Sequence, residues 1–191
     1  MIIQCLRSFW IVLALWIVPM TPALAQSPVC QFRGAPDALS ERPSPLDSVS
    51  IGLGGIAGKL CYGRPSARGR RIIGGEHPLS PWRMGANEPT TLHLPFAARI
   101  GEVDVEAGAY TLYALPEADA WTIVVNGNTS RWGIPISPEV RREDIGSFLV
   151  ETSQSSTHVE TLTFGFAGEG RSGVLTFEWE RIRIQIPIVR R

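Results

Sequence analysis

Apolar and polar residues alternate with a period of two through most of the chain after Ser48. Trp121, Ile123 and Val125, for example, occupy alternate positions, with Thr122 and Val124 between them. Such alternation puts apolar side chains on one face of a β-strand. It predicts strands over residues 49–53, 59–63, 90–94, 110–115, 121–125, 148–152, 162–166, 175–179 and 182–188. Nine or so short strands favour an all-β, single-domain antiparallel β-sandwich or flattened barrel.

The alternation changes parity near the C-terminal end of the chain. Apolar residues fall on odd positions up to Trp179 and on even positions from Ile182 onward. One extra residue near Glu180 and Arg181, a β-bulge, would let a single long strand bend and keep its apolar side inward. We therefore predict that Trp179 and Ile184 are both buried.

One helix start stands out among the predicted strands. Ser137 is a suitable N-cap, Pro138 suits the first helical position, and Glu139 places an acid in the first turn. These residues predict one short helix that runs to about Asp144.

The N-terminus has the features of a secretory signal peptide. Residues 9–18 form an apolar run that ends before Ala23-Leu24-Ala25, a small-x-small cleavage site. A membrane-spanning helix would need about 20 apolar residues. We therefore expect export to the periplasm or the extracellular space, with residues 1–25 removed and no transmembrane anchor left. Residues 26–47 carry four prolines and suggest a linker, and residues 48–191 form the β-domain.

Two cysteines remain after such processing, Cys30 and Cys61. An exported protein meets an oxidising compartment, so these two thiols could pair as a disulfide. A free Cys30 beside a buried Cys61 is the open alternative.

The balance of charge and the absence of standard motifs narrow the function. The chain has 18 basic and 18 acidic residues. A net charge of zero argues against a nucleic-acid partner, because binding to nucleic acid relies on a positive field. Residues 52–57 match a dinucleotide-binding pattern if Ala is accepted last. A strand follows instead of a crossover helix, so a hairpin turn is the better interpretation. We expect no cofactor.

Two sets of residues would suit a metal ion if the fold brought them together. The histidines are His77, His93 and His158, and the acidic set is Glu102, Asp104 and Glu106. Three carboxylates on one face of an extended segment suit Ca²⁺. Lone histidines and a solvated acidic face are the more ordinary interpretations, so we predict no metal site.

Arginine is concentrated in residues 59–75, a segment without a single acidic residue. Guanidinium groups suit carboxylate and phosphate ligands, and an aromatic, an amide and a carboxylate follow within twenty residues. The candidate site residues are Arg64, Arg68, Trp82, Arg83, Asn87 and Glu88, predicted to surround one cleft that binds a small anionic ligand. Alternatively, Arg83 and Glu88 form a structural ion pair, Asn87 holds a turn and Trp82 belongs to the core.

Several sequence blocks together resemble the bacterial exported family catalogued as domain of unknown function 2911. The most specific block is Trp-Arg-Met-Gly-Ala-Asn-Glu at residues 82–88. Further blocks lie at residues 62–66, 69–74, 107–112 and 132–133, with Trp121 and Asn126 between the last two. The resemblance covers about residues 48–188 and implies an exported, mainly β domain without an agreed activity. Pro89 stands where the family pattern leads us to expect Ala, and it removes a backbone donor after Glu88.

Three classes of function fit these features. The favoured one is a noncatalytic exported module that binds a small ligand or a partner. The second is an envelope enzyme in which Glu88 is the general acid or base and Arg83 or Arg64 holds an anionic substrate. The third is a purely structural envelope protein. A cavity at these residues would argue against the third class, and a raised pKa of Glu88 would favour the enzyme.

Overall fold

The computed structural model describes residues 28–75 and 81–191. The predicted signal peptide at residues 1–25 and His77 lie outside the described residues. Within the described ranges, no helix is long and apolar enough to cross a membrane.

Ten strands account for most of the described chain. They are β1 (Leu46–Leu53), β2 (Ile56–Gly63), β3 (Thr90–Leu94), β4 (Ala98–Ile100), β5 (Val103–Val105), β6 (Gly108–Pro116), β7 (Ala120–Asn126), β8 (Asp144–Glu151), β9 (Ser153–Glu169) and β10 (Ser172–Arg190). A 3₁₀ turn at Pro36–Leu39 precedes β1, and one turn of helix, α1 (Pro138–Arg141), precedes β8.

The strands form two antiparallel sheets. One sheet has six strands in the order β1-β2-β3-β6-β7-β8, and the other has four in the order β5-β4-β10-β9. A single large apolar cluster joins side chains of both sheets, among them Leu92 and Trp121 of the first and Phe177 and Ile186 of the second. The all-β sandwich prediction is confirmed, and the sheets stay distinct, which decides against the flattened barrel.

The alternation identified eight of the ten strands but misjudged several lengths. It missed β4 and β5, which have three residues each, because three residues are too few to display a period of two. It also predicted only part of the two longest strands: residues 162–166 of β9, which has 17 residues, and residues 175–188 of the bent strand β10, which has 19.

The predicted bulge is confirmed at Glu180. The pairing of β10 with β9 shifts register on both sides of this residue. Glu180 has a φ of 54°, in the left-handed region. Its carboxylate accepts the backbone N–H groups of Ile72 and Ile73, at 3.1 and 2.8 Å. Trp179 and Ile184 are 3% and 1% exposed. The odd-numbered residues before the bulge and the even-numbered residues after it therefore both face the core, as predicted.

The helix is shorter than the sequence suggested. Ser137 is the N-cap, and its side chain accepts the Val140 N–H, but the helix ends at Arg141. Asp144 instead begins β8, where its carboxylate accepts hydrogen bonds from Tyr113 and Asn126, both at 2.8 Å. These two bonds hold Asp144 in the sheet, so the predicted end of the helix was wrong.

The glycine-rich segment at residues 52–57 is a hairpin turn, as predicted. Gly54 and Gly55 connect β1 to β2 with φ values of 59° and 76°. Two consecutive positive φ values suit the tight turns that match the twist of paired strands, and glycine adopts them without steric cost.

Candidate functional site

An ordered segment before β1 lies against the six-stranded sheet. We call residues 28–45 the N-terminal strap; they belong to the stretch that the sequence suggests as a linker. Cys30 of the strap is disulfide-bonded to Cys61 of β2, with a Cα–Cα distance of 5.6 Å. The bond covalently ties the start of the strap to the middle of the sheet.

A partly buried ion pair holds the other end of the strap. Arg42 Nη1 lies 2.8 Å from Glu88 Oε2 and 3.0 Å from Oε1. The backbone N–H of Arg33 donates to the same carboxylate at 2.7 Å. Asn87 Nδ2 donates to the Ser44 carbonyl at 3.0 Å. The strap therefore lies along residues 87 and 88 and neutralises the Glu88 charge.

These contacts determine the protonation of Glu88. Burial by itself would raise the pKa of this carboxyl. Hydrogen bonds from Arg42 and from the Arg33 backbone act in the opposite direction and outweigh burial, so the pKa of Glu88 lies below its ordinary value. Glu88 is thus a fixed carboxylate near neutral pH.

A cavity of about 360 Å³ lies between the strap, β3 and the loop that follows β7. Strap residues 31–33 form one wall, and Leu46 and Pro89 add apolar surface. The polar side chains in its lining include Thr91, His93, Thr129, Ser130 and Arg131. Its volume is near the lower end of the range for small-molecule sites, about 300–1,000 Å³.

Arg131 is a half-buried cation of this cavity that forms no ion pair with a described carboxylate. Its Nη1 donates to the carbonyls of Trp132 and Gly133, at 3.1 and 2.9 Å, and its Nη2 lies 3.4 Å from Thr111 Oγ1. Its Nε is buried and has no acceptor among the described residues. No carboxylate of residues 28–75 or 81–191 lies within 4.0 Å of this guanidinium.

A second half-buried guanidinium lies close to Arg131. Arg83 Nε donates to the Gly85 carbonyl at 3.1 Å, and its side chain packs against Gly133, where an added Cβ would fall 2.4 Å from Arg83 Cδ. Burial lowers the pKa of Arg83, although the Glu88 charge opposes it. Burial also lowers the pKa of Arg131; Tyr113, Asp144 and Glu143 oppose this shift, whereas the charge of Arg83 adds to it. Both remain cations, because the pKa of arginine begins so high. The pair concentrates positive charge beside the cavity.

The structure separates the arginines predicted from the basic segment. Arg64, at the end of β2, donates to the Leu162 carbonyl at 3.1 Å and to Thr163 Oγ1 at 3.0 Å. Arg68 donates through its backbone N–H to Glu160 at 2.5 Å and through its side chain to the Pro43 carbonyl. Arg64 and the Arg68 backbone fasten the loop after β2 to β9, and the Arg68 side chain binds the strap; neither residue lines the cavity.

The remaining predicted residues have mainly structural contacts. Trp82 is 6% exposed and stacks on Trp179 with ring centroids 5.7 Å apart. Asn87 has a φ of 62° at a tight corner. The expected Arg83–Glu88 pair is replaced by the pair of Glu88 with Arg42. Of the six candidates, Glu88 alone lines the cavity, so the structure does not gather them around one cleft.

The two described histidines, His93 and His158, lie on separate strands. His93 lines the cavity, whereas His158 lies on β9, 3.2 Å from Glu160. Asp104 forms ion pairs with Arg99 and Arg191. Among the described residues, no three His, Cys, Asp or Glu side chains are grouped to hold a metal ion.

His93 is the one imidazole in the described part of the cavity wall. Burial lowers its pKa, and the nearby Lys59 lowers it further. His93 is therefore neutral at pH 7, where its ring can donate and accept a hydrogen bond at once.

Sequence reasoning missed most of this cavity. Arg33, His93 and Arg131 come from segments far apart in the chain, so no local spacing connects them. The only signal was Arg131 beside the Trp132-Gly133 block, after the hydroxyl pair Thr129-Ser130.

Comparison with known families supports the resemblance of the sequence blocks. The model of the family of proteins of unknown function designated DUF2911 matches residues 44–188. This chain belongs to the DUF2911 family. No curated protein and no solved structure matches the chain. The DUF2911 match includes β3, Glu88 and Arg131, while it leaves out the strap up to residue 43.

Proposed function

We propose that this DUF2911 protein is a noncatalytic, exported binding module that holds a small anionic ligand in the cavity beside Arg131. The cavity takes the place of the cleft that was expected around Arg64, Arg68 and Arg83. Its ligand class, a small molecule with a carboxylate or phosphate group, stays the same.

The observation that carries the proposal is the half-buried guanidinium of Arg131, which has carbonyl and hydroxyl acceptors but no carboxylate within 4.0 Å among the described residues. A half-buried cation without a counterion has lost hydration and gained no ion pair in return. Its buried Nε–H also lacks an acceptor, an arrangement that is uncommon in native proteins and calls for an explanation. An anion in the cavity would supply the missing counter-charge.

The other groups of the cavity suit the same ligand. Arg33 contributes a second positive charge at the wall, and the one carboxylate in the lining, Glu88, is already matched by Arg42. Thr91, Thr129 and Ser130 offer hydroxyl groups that can donate to ligand oxygens. An entering anion would therefore meet net positive charge and several donors.

The disulfide supports the export part of the proposal. Structural disulfides persist in oxidising compartments such as the periplasm and the cell exterior, and they are rare in the cytosol. A Cys30–Cys61 bond agrees with a chain that leaves the cytoplasm.

The enzyme alternative is the weaker one, because Glu88 is poorly suited to proton transfer. A general acid needs a pKa near the working pH, whereas the pKa of Glu88 is lowered. Both of its oxygens are also engaged by Arg42. Glu88 fastens the strap.

The proposal is tested by thermal unfolding of the mature protein with phosphate, sulfate, citrate and glucuronate. An anion at one hundred times its Kd stabilises the fold by about 2.7 kcal/mol. For a domain of this size that raises the Tm by about 5–11 °C. Arg131→Gln should abolish the response to the anion.

Arg99→Gln is the matched control, because Arg99 is an exposed arginine on the four-stranded sheet that is paired with Asp104. This variant should respond to the anion as the wild type does. Circular dichroism checks that Arg131→Gln is folded. An equal response of wild type and Arg131→Gln to every anion would refute the site.

A further inference from the structure

We propose that the N-terminal strap is a redox-controlled wall of the cavity: the Cys30–Cys61 disulfide keeps the cavity closed, and reduction of that bond by a dithiol opens it. The proposal concerns the regulation of the site described above and rests on the proposed function for its ligand. Its test needs no ligand.

The strap encloses the cavity without contributing to the core. Gln31, Phe32 and Arg33 line the cavity. Among the strap residues whose side chains are described, none is buried. Release of the strap would therefore expose the cavity while the apolar contacts between the two sheets stay intact.

Few fastenings hold the part of the strap that forms the wall. On one side is the disulfide of Cys30, and on the other is the Glu88 carboxylate, which binds Arg42 and the Arg33 N–H. Of these two fastenings, only the hydrogen bonds to Glu88 can be replaced by hydrogen bonds to water, because such bonds at a partly exposed surface open locally at a small cost in free energy. The disulfide is the fastening that does not open by fluctuation.

The bond is accessible from the strap side, because Cys30 is partly exposed. Cys61 is 4% exposed and belongs to the cavity lining. A dithiol can attack the disulfide at Cys30; two electrons and two protons pass to Cys30 and Cys61, which become thiols, and the dithiol becomes a disulfide. Once the link is broken, only the exchangeable contacts retain the wall.

The strap also lies almost entirely outside the family domain. The DUF2911 match begins at residue 44, and the wall residues 31–33 precede it. The groove beneath belongs to the matched domain, through Thr91, His93 and Arg131. In this chain, strap residues 31–33 form one wall over that groove.

Two probes report on the wall independently of any anion. The first is hydrogen exchange at the Arg33 amide, which is bonded to Glu88 when the strap is closed. The second is modification of His93 by diethylpyrocarbonate, mapped by mass spectrometry, because this imidazole lines the cavity. Dithiothreitol should raise both rates by about fivefold or more.

The controls separate opening from unfolding. The Ala114 amide, bonded to the Trp82 carbonyl at 2.8 Å, should keep its protection, and the surface residue His158 should react at an unchanged rate. Cys30→Ser should match the reduced protein and ignore dithiothreitol. Equal rates at Arg33 and His93 in the oxidised and reduced protein would overturn the strap proposal, even if anions bind. A strap that opens in a protein that binds no anion would refute only the proposed function.

Discussion

Replacement of Glu88 by Gln tests whether a partly buried ion pair fastens the strap. The substitution keeps the shape of the side chain but removes its charge. Arg42, whose side chain is 15% exposed, loses its counterion, and two charge-assisted hydrogen bonds at 2.8 and 3.0 Å weaken. Glu88→Gln should therefore unfold more easily than the wild type.

The expected loss in the free energy of unfolding depends on how deeply Glu88 and Arg42 are buried. Removing one partner of a fully buried pair costs about 3–5 kcal/mol. Arg42 is on a strap without buried side chains and can turn toward water, so we expect a loss of about 2–3 kcal/mol. The Tm should fall by about 4–12 °C.

The effect should depend on pH in a defined direction. Because the pKa of Glu88 is lowered in the folded state, its contribution is fully present above the unfolded-state pKa, about 4.3. The contribution is lost as the pH falls through the folded-state value. The stability difference between wild type and Glu88→Gln should thus be constant near neutrality and shrink in acid.

Urea unfolding from pH 7 to pH 3 measures this difference. Asp104→Asn is the control, since Asp104 also forms an ion pair with an arginine and has a lowered pKa but lies at the surface. Its effect on stability should be much smaller. Equal stability of wild type and Glu88→Gln at pH 7, or a difference that persists undiminished in acid, would refute the role of Glu88 as a fastening.

Two further predictions concern the sandwich itself. Trp82→Ala removes a core ring that stacks on Trp179, and should lower the free energy of unfolding in urea by about 3–5 kcal/mol; a loss below 1 kcal/mol would show that Trp82 is not in the core. Glu180→Ala and Glu180→Gly both lose the bonds to Ile72 and Ile73, but glycine tolerates the positive φ, so in thermal unfolding the Gly variant should be more stable by about 1 kcal/mol. An Ala variant as stable as the Gly variant would contradict the bulge geometry.

The fold could be predicted from the sequence where strands are long enough to show a pattern. The parity change between Trp179 and Ile182 located a bulge because an inserted residue must reverse the inward face. Strands β4 and β5 were not predicted, because residues 98–100 and 103–105 are strands only through their pairing with neighbouring strands of the sheet. A local pattern carries no information on such partners.

The site could be predicted only in part, for the same reason. Arginine clustering drew attention to residues 64–71, yet Arg64 and Arg68 satisfy backbone carbonyls across a strand. Glu88 was recognised as unusual, but its partner Arg42 is 46 residues away in the chain. The cavity is formed by distant segments of the chain, and Arg131 becomes notable only once the fold shows that no carboxylate of the described residues lies within 4.0 Å of it.

The most direct test of the account is to observe the Arg131 guanidinium while an anion is added. In a ¹H–¹⁵N spectrum of the mature protein, the Nε–H signal of Arg131 is assigned by its loss in Arg131→Gln and followed during titration with phosphate and citrate. The account predicts a saturable shift of this signal, with the Arg99 Nε–H signal, bonded to Asp104 at 2.8 Å, left unchanged. An Arg131 signal that stays fixed at every anion concentration would contradict the central claim that this cavity is an anion site.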